Sequence, residues 1–298
     1  MVFNLGLVGC GKWSDTIITE VKKNKFFQLK KIVCKHRHKS YYKNVELYKT
    51  PKEMLETKKI DCIYVASSPK INLDVMKLLV ENNLPVILEK PIANSYKNIL
   101  DLKKISNDHE ILALPNITNI FSECSNEIEK FVNKNKINIK RIIIIEGGNG
   151  PFRDDINPIW DWGFHSFALI FKLFKKDITN KFRNSEIKKN NINKGLVSKF
   201  IFSINNTIKV KIITGNLFQI KKRLIKIILL NGDFLLCDFI KHEVYINNIL
   251  IFRNSKTPLE SLLDNFENII RNKDYIISSE LLDISIRTTK ILEKFYKC

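Results

Sequence analysis

Lys90, Asp161 and His165 are the residues whose types and spacing best suit acid–base chemistry. Asp161 and His165 stand four apart, which puts them on one face of a helix. An imidazole takes or gives a proton near neutral pH, and a neighbouring carboxylate can orient it or bind a substrate hydroxyl. Asp161 also fits a helix N-cap, and His165 also fits a satisfied core histidine. Lys90 follows the short apolar run Pro85–Leu88, a predicted strand. Doubly wound sheets hold their ligands at the carboxyl ends of such strands, where an ammonium can stabilise a developing alkoxide. With 50 Lys and Arg residues in the chain, a plain surface lysine is the competing reading.

A second chemical signal lies near the N-terminus. The apolar run Val2–Val8 ends in Gly9-Cys10-Gly11, and the helical pattern Trp13–Lys23 follows. Glycines between a strand and a helix allow a tight turn and let backbone approach a pyrophosphate, with the helix N-terminus supplying free N–H groups. The third glycine position of the fingerprint is Ser14, small enough for helix–strand packing. Gly9, Gly11, Lys12 and Trp13 are therefore expected to bind a dinucleotide. After the second predicted strand comes Cys34-Lys35-His36-Arg37-His38-Lys39, which lacks the acid that usually holds an NAD ribose. Lys35 and Arg37 suit a 2′-phosphate, so NADP is expected over NAD.

These groups need a scaffold. The first ~115 residues alternate strand and helix patterns, which predicts a doubly wound parallel α/β sheet. Its further strands are Phe27–Cys34, Asn44–Tyr48, Asp61–Ser67 and Ile111–Leu114. Later, strand-like runs follow one another without long helices between them, from Val197–Ile204 to Ile249–Phe252, and two helices close the chain at Leu259–Arg271 and Glu280–Tyr296. This predicts an α+β domain with an open, mostly antiparallel sheet. The expected division is residues 1–118 and 119–298.

Glu89-Lys90-Pro91 resembles the EKP signature of the glucose–fructose oxidoreductase, inositol dehydrogenase and MocA (Gfo/Idh/MocA) family. Ala66-Ser67-Ser68-Pro69 resembles the loop after the family's fourth strand, and Asp161-Trp162-Gly163-Phe164-His165 resembles its D-x-G-x-H motif. The resemblance implies NAD(P)-dependent hydride transfer at a hydroxyl or keto carbon of a sugar, cyclitol or nucleotide-sugar, in a site between a Rossmann domain and a substrate domain. It implies catalytic roles for Lys90, Asp161 and His165. It implies cofactor contacts from Ser67, Ser68, Pro69, Asn72, Glu89, Lys90 and Pro91, and homo-oligomers built through the second sheet. The chain departs from the pattern at Asn72, often His; at Ala168, often Asp; and at Ile120-Phe121, often Arg-Phe. A non-catalytic NAD(P)-binding regulator, or a biliverdin- or dihydrodiol-type reductase, is the alternative on the same fold.

Composition bounds the rest. The formal net charge of +19 is spread over a chain rich in Lys, Asn and Ile. With no recognition module visible, it indicates attraction of anionic substrates and cofactors rather than nucleic-acid binding, while the resemblance implies a polyhydroxylated or anionic small-molecule substrate. Trp160 and Trp162 could stack on a sugar or belong to the core, and Gly147-Gly148-Asn149-Gly150 reads as a flexible turn. The cysteines Cys10, Cys34, Cys62, Cys124, Cys237 and Cys298 form no CxxC pair and no zinc-ligand spacing, so no metal is expected and reduced thiols are the simplest expectation. No apolar run approaches ~20 residues and the N-terminus lacks a signal-peptide pattern, so a soluble cytoplasmic protein is expected.

Overall fold

The computed structural model describes residues 2–298 except 36–43, 58, 176–178 and 193, with backbone alone at 179–181. The chain divides into two compact units: Met1–Ile117 with Leu259–Thr289, and Thr118–Pro258 with Lys290–Cys298.

The first unit is built on a six-stranded parallel sheet in the order β3-β2-β1-β4-β5-β6. Its strands are β1 (Phe3–Val8), β2 (Phe27–Val33), β3 (Glu46–Tyr48), β4 (Cys62–Val65), β5 (Val86–Glu89) and β6 (Ala113–Asn116). Strands β4, β5 and β6 are buried along their whole length, as expected where helices cover both faces of a parallel sheet. The covering helices include α1 (Lys12–Lys23), α2 (Pro51–Glu56), α3 (Pro69–Leu79) and α4 (Tyr96–Asp108). Ser95 caps α4 by accepting from the Asn98 N–H. The strand order reverses between β1 and β4, which makes their carboxyl ends the place where such sheets hold ligands.

The sequence places both closing helices in the second domain; the structure places most of them in the first unit. Helix α8 (Pro258–Asn272) brings Phe266 onto Phe27 at 5.8 Å between ring centroids and Arg271 over the Phe3 ring. From α9 (Tyr275–Phe295), Ser278 accepts from the Ala113 N–H and donates to its carbonyl. These contacts join distant segments, so local pattern does not reveal them.

The second unit carries an eight-stranded sheet in the order β14-β13-β12-β11-β7-β10-β9-β8, antiparallel except where β10 runs parallel to β7. The strands are β7 (Ile139–Asn149), β8 (Thr179–Asn190), β9 (Gly195–Ile204), β10 (Ile208–Gly215), β11 (Leu217–Leu229), β12 (Phe234–Asp238), β13 (Glu243–Ile246) and β14 (Ile249–Arg253). Besides a short α5 (Thr118–Phe121), helices α6 (Glu123–Asn135) and α7 (Pro158–Phe174) belong to this unit. Fifteen of the residues of α7 are buried, and Phe167 sits within 5.1 Å of Phe200 and 6.1 Å of Phe202 across the sheet. Edge strand β8 lies in a lysine- and asparagine-rich stretch outside the strand-like runs that the sequence pattern predicts. Its charged residues are what a protected sheet edge carries, and they mask the alternation.

Candidate functional site

In the first unit, the turn after β1 has the form a dinucleotide requires. Gly9 adopts φ +118, and a Cβ there would meet the Ala66 carbonyl oxygen at 2.3 Å, so only glycine fits. Its N–H donates to the Val33 carbonyl at 3.0 Å, joining the turn to β2. A Cβ at Gly11 would meet nothing within 4 Å, so the backbone there is open to an approaching group. Gly11 is the N-cap of α1 and supplies no side-chain cap, which leaves the first helical N–H groups for an anion. Lys12 is exposed, while Ser14 is buried in the helix–strand contact, the role its small size suggested. The residues present thus fit a pyrophosphate.

Cys10 and Cys34 form a disulfide with 5.4 Å between Cα atoms, which corrects the expectation of reduced thiols throughout. Parallel pairing of β1 with β2 brings the residues just beyond each strand together, a proximity invisible in spacing alone. Cys62, Cys124 and Cys237 are buried and free. Lys35 is exposed directly after Cys34. Arg37 lies outside the described residues.

Glu89 is seated differently from the cofactor contact expected of it. Its Oε1 accepts from Trp13 Nε1 at 2.5 Å, Tyr64 OH at 2.7 Å and Asn116 Nδ2 at 2.5 Å. One buried carboxylate thereby ties α1, β4, β5 and β6 together at the carboxyl edge of the sheet. Burial raises its pKa above the usual carboxylate value, and the three donors oppose that rise. Trp13, though 44% exposed, therefore spends its N–H on Glu89. Asn72, fully buried, donates from Nδ2 to the Glu89 carbonyl at 3.3 Å and the Ile92 carbonyl at 2.8 Å. It brackets the cis Lys90–Pro91 peptide from beneath. Lys90 is half-buried at the end of β5, while Ser67 and Ser68 are half-buried between β4 and α3, with Pro69 opening that helix.

In the second unit, α7 begins three residues before Asp161. Asn157 is its N-cap, accepting from the Ile159 N–H at 2.9 Å, and Pro158 occupies the first turn. Asp161 is therefore not the cap; it lies half-buried in the first turn, one helical turn before the buried His165. Trp160 is core, with Nε1 donating to the Tyr296 carbonyl at 2.8 Å. Trp162 donates to the Gly150 carbonyl and lies under the Arg223 guanidinium at 5.6 Å.

The sheet beneath α7 changes character at one level. Ile225, Ile144, Ile212 and Phe200 form one buried row across β11, β7, β10 and β9; the next row is Arg223, Glu146, Thr214 and Ser198. Glu146, 1% exposed, accepts from Asn119 Nδ2 at 3.2 Å and Ser166 Oγ at 2.8 Å, and pairs with Arg223 Nε at 3.5 Å. Partial desolvation and the neighbouring Arg223 hold the Lys221 pKa below the usual lysine value. Sequence reasoning missed this cluster; the one available signal was an acid ending the run Ile142–Ile145. Gly147 and Gly148, read as a flexible turn, lie inside β7. A Cβ at Gly147 would strike the Gly215 carbonyl at 2.4 Å, and one at Gly148 would press on the Trp162 ring at 3.0 Å. Among the described residues no group of three or more His, Cys, Asp or Glu is placed to hold a metal. No described helix is long and apolar enough to cross a membrane.

Residues 3–117 match the family profile described as "Oxidoreductase family, NAD-binding Rossmann fold", that of Gfo/Idh/MocA. The six-stranded sheet of the first unit thus lies within the segment that is similar to this NAD-binding Rossmann-fold family. No curated protein matches the chain by sequence. Solved structures of the same fold include UDP-N-acetylglucosamine 3-dehydrogenase GnnA from Acidithiobacillus ferrooxidans, with 12% identity, TM-score 0.80 and 99% of each chain covered. A scyllo-inositol dehydrogenase from Lactobacillus casei, with bound NAD(H) and scyllo-inositol, matches at 15% identity and TM-score 0.79, covering 98% of this chain and 95% of that one. A 3-ketoreductase from Actinomadura kijaniata, in complex with TDP-benzene and NADP, matches at 10% identity and TM-score 0.83, covering 98% and 96%.

Proposed function

We propose that this chain is an NAD(P)-dependent oxidoreductase acting on a hydroxyl or keto carbon of a sugar, cyclitol or nucleotide-sugar. The observation that carries the reading is the phosphate turn followed by Glu89-Lys90-Pro91 in a domain matching an NAD-binding oxidoreductase family. The nicotinamide supplies or accepts the hydride. Lys90 donates to the substrate oxygen and favours negative charge developing on it. His165 carries the proton that the oxygen loses on oxidation or gains on reduction, and Asp161 orients the imidazole or a substrate hydroxyl. Gly9, Gly11 and Lys12 receive the pyrophosphate; Ser67, Ser68 and Pro69 border the cofactor. Glu89, Asn72 and Trp13 position Lys90 and the turn through the hydrogen bonds above. Lys35 and Arg37 recognise a 2′-phosphate, which favours NADP over NAD.

Residues 1–118 make the cofactor domain, with the closing helices added to it, and the remaining chain makes the substrate domain. The protein works in the cytoplasm and assembles as a homo-oligomer through the outward sheet face, where Ile201 is 41% exposed beside half-exposed Ile213 and Ile143. Polar Glu146, Arg223 and Lys221 beneath α7 favour a polyhydroxylated or anionic substrate over the broad apolar shelf a tetrapyrrole needs. The test is a fluorescence titration with NADPH and NADH at fixed salt, then a turnover screen of sugars, cyclitols and nucleotide-sugars. NADPH should bind at least about tenfold more tightly, equivalent to about 1.4 kcal/mol. Equal or reversed affinities would remove the NADP assignment.

A further inference from the structure

We propose that Cys10 and Cys34 are a thiol–disulfide exchange site that gates the cofactor turn, with a small-molecule disulfide as the oxidant and a thiol as the reductant. Cys10 stands between the two glycines of the phosphate turn, immediately before helix α1. Cys34 is the first residue after β2, the place from which a Rossmann sheet contacts the adenosine ribose. The bond between them links those two points directly, with Cα atoms 5.4 Å apart. The turn is already joined to β2 by the Gly9 N–H bond to the Val33 carbonyl. The disulfide is therefore not needed to shape the backbone. What it adds is a covalent tether from the Gly9–Gly11 segment to the end of β2.

The surroundings favour exchange. Cys10 stands directly before the Gly11 N-cap of α1 and two residues before Lys12, and Lys35 adjoins Cys34, so positive charge lies close in sequence to both sulfurs. Cys10 is half-exposed and Cys34 buried, so Cys10 is the sulfur that meets the external reagent. In the oxidising direction the Cys10 thiolate attacks the small disulfide, forming a mixed disulfide and expelling one thiolate. The Cys34 thiolate then attacks Cys10 Sγ and expels the second. The two cysteine protons end on the two released thiolates. The pair loses two electrons and the small disulfide gains them. Reduction is the reverse. In a reducing compartment the pair rests as two thiols and closes only under oxidative load, which is how cytosolic disulfides usually act.

The experiment uses the full chain equilibrated with reduced or oxidised glutathione. Intact and peptide mass spectrometry reads the Cys10–Cys34 link, and fluorescence titration reads NADPH affinity on the same samples. The expected result is a link that forms and opens with the glutathione ratio, and NADPH binding about tenfold weaker in the linked form. Cys10→Ser should bind NADPH alike in both buffers; the wild-type comparison stands alone if that variant does not fold. A link that never forms, one that reduced glutathione cannot open, or equal affinity in the two forms overturns the proposal. Reversible linkage in a chain that binds no NADPH in either form overturns both the gate and the cofactor assignment. Reduced-form binding with no linkage leaves the cofactor assignment standing and the gate overturned.

Discussion

At the scale of single residues, Glu89 has a structural role in its hydrogen bonds and His165 has the proposed chemical one. Three donors converge on Glu89 Oε1, so Glu89→Ala strands the buried Tyr64 and Asn116 donors and the part-buried Trp13 N–H and should cost about 3 kcal/mol, read by chemical denaturation. Glu89→Gln keeps an acceptor and should cost less. The pH dependence follows from the raised pKa of the folded state. At low pH the group is protonated in both states and burial is cheap. As pH rises above the unfolded value, the unfolded chain ionises first, so wild-type stability relative to Glu89→Gln should fall until the folded value is passed. A pH-independent difference would contradict that burial dominates. His165→Ala should instead leave folding cooperative and lower kcat by about 10²–10⁴-fold, with cofactor affinity nearly unchanged. A wild-type kcat in that variant would move the proton transfer to another side chain.

At the scale of elements, caps and glycines set where the chemistry can stand. Asn157→Ala removes the side-chain cap of α7 and should cost about 1 kcal/mol, with Asn157→Asp close to neutral in thermal melts. Gly147→Ala drives a methyl group into the Gly215 carbonyl and should cost about 3 kcal/mol. Gly11→Ala, with open space around its new Cβ, should leave the melting temperature unchanged and weaken NADPH binding. A loss of stability with intact binding would reverse its role. The Rossmann strands and the Gly9–Gly11 turn were legible because their signals are local: apolar runs of strand length and punctuating glycines. Strand β8 was not, because its lysines and asparagines hide a two-residue period. The Cys10–Cys34 pair, the Glu89 hub and the Glu146–Arg223 couple were not either, since each is made by sheet register between segments far apart in sequence. The start of α7 was misjudged for a smaller reason: Asn157-Pro158 is a cap followed by a first-turn proline, and Asp161 drew attention away from it.

At the scale of the whole molecule, the charge of +19 bears on which polyanions the protein can bind. Dispersed lysines without a recognition element should give only weak, salt-sensitive binding to duplex DNA. Submicromolar affinity at physiological salt would contradict that. The central claim is hydride transfer from a nicotinamide to a carbon atom, and the transferred atom itself can be followed. NADPH carrying deuterium at C4 is incubated with the thiol-reduced protein and the keto forms of sugars, cyclitols and nucleotide-sugars, and products are read by mass spectrometry. The expected result is one deuterium on the former carbonyl carbon of at least one substrate, abolished or strongly slowed by Lys90→Ala and by His165→Ala. Tight NADPH binding without deuterium transfer to any of these compounds, or transfer that survives both substitutions, would contradict it.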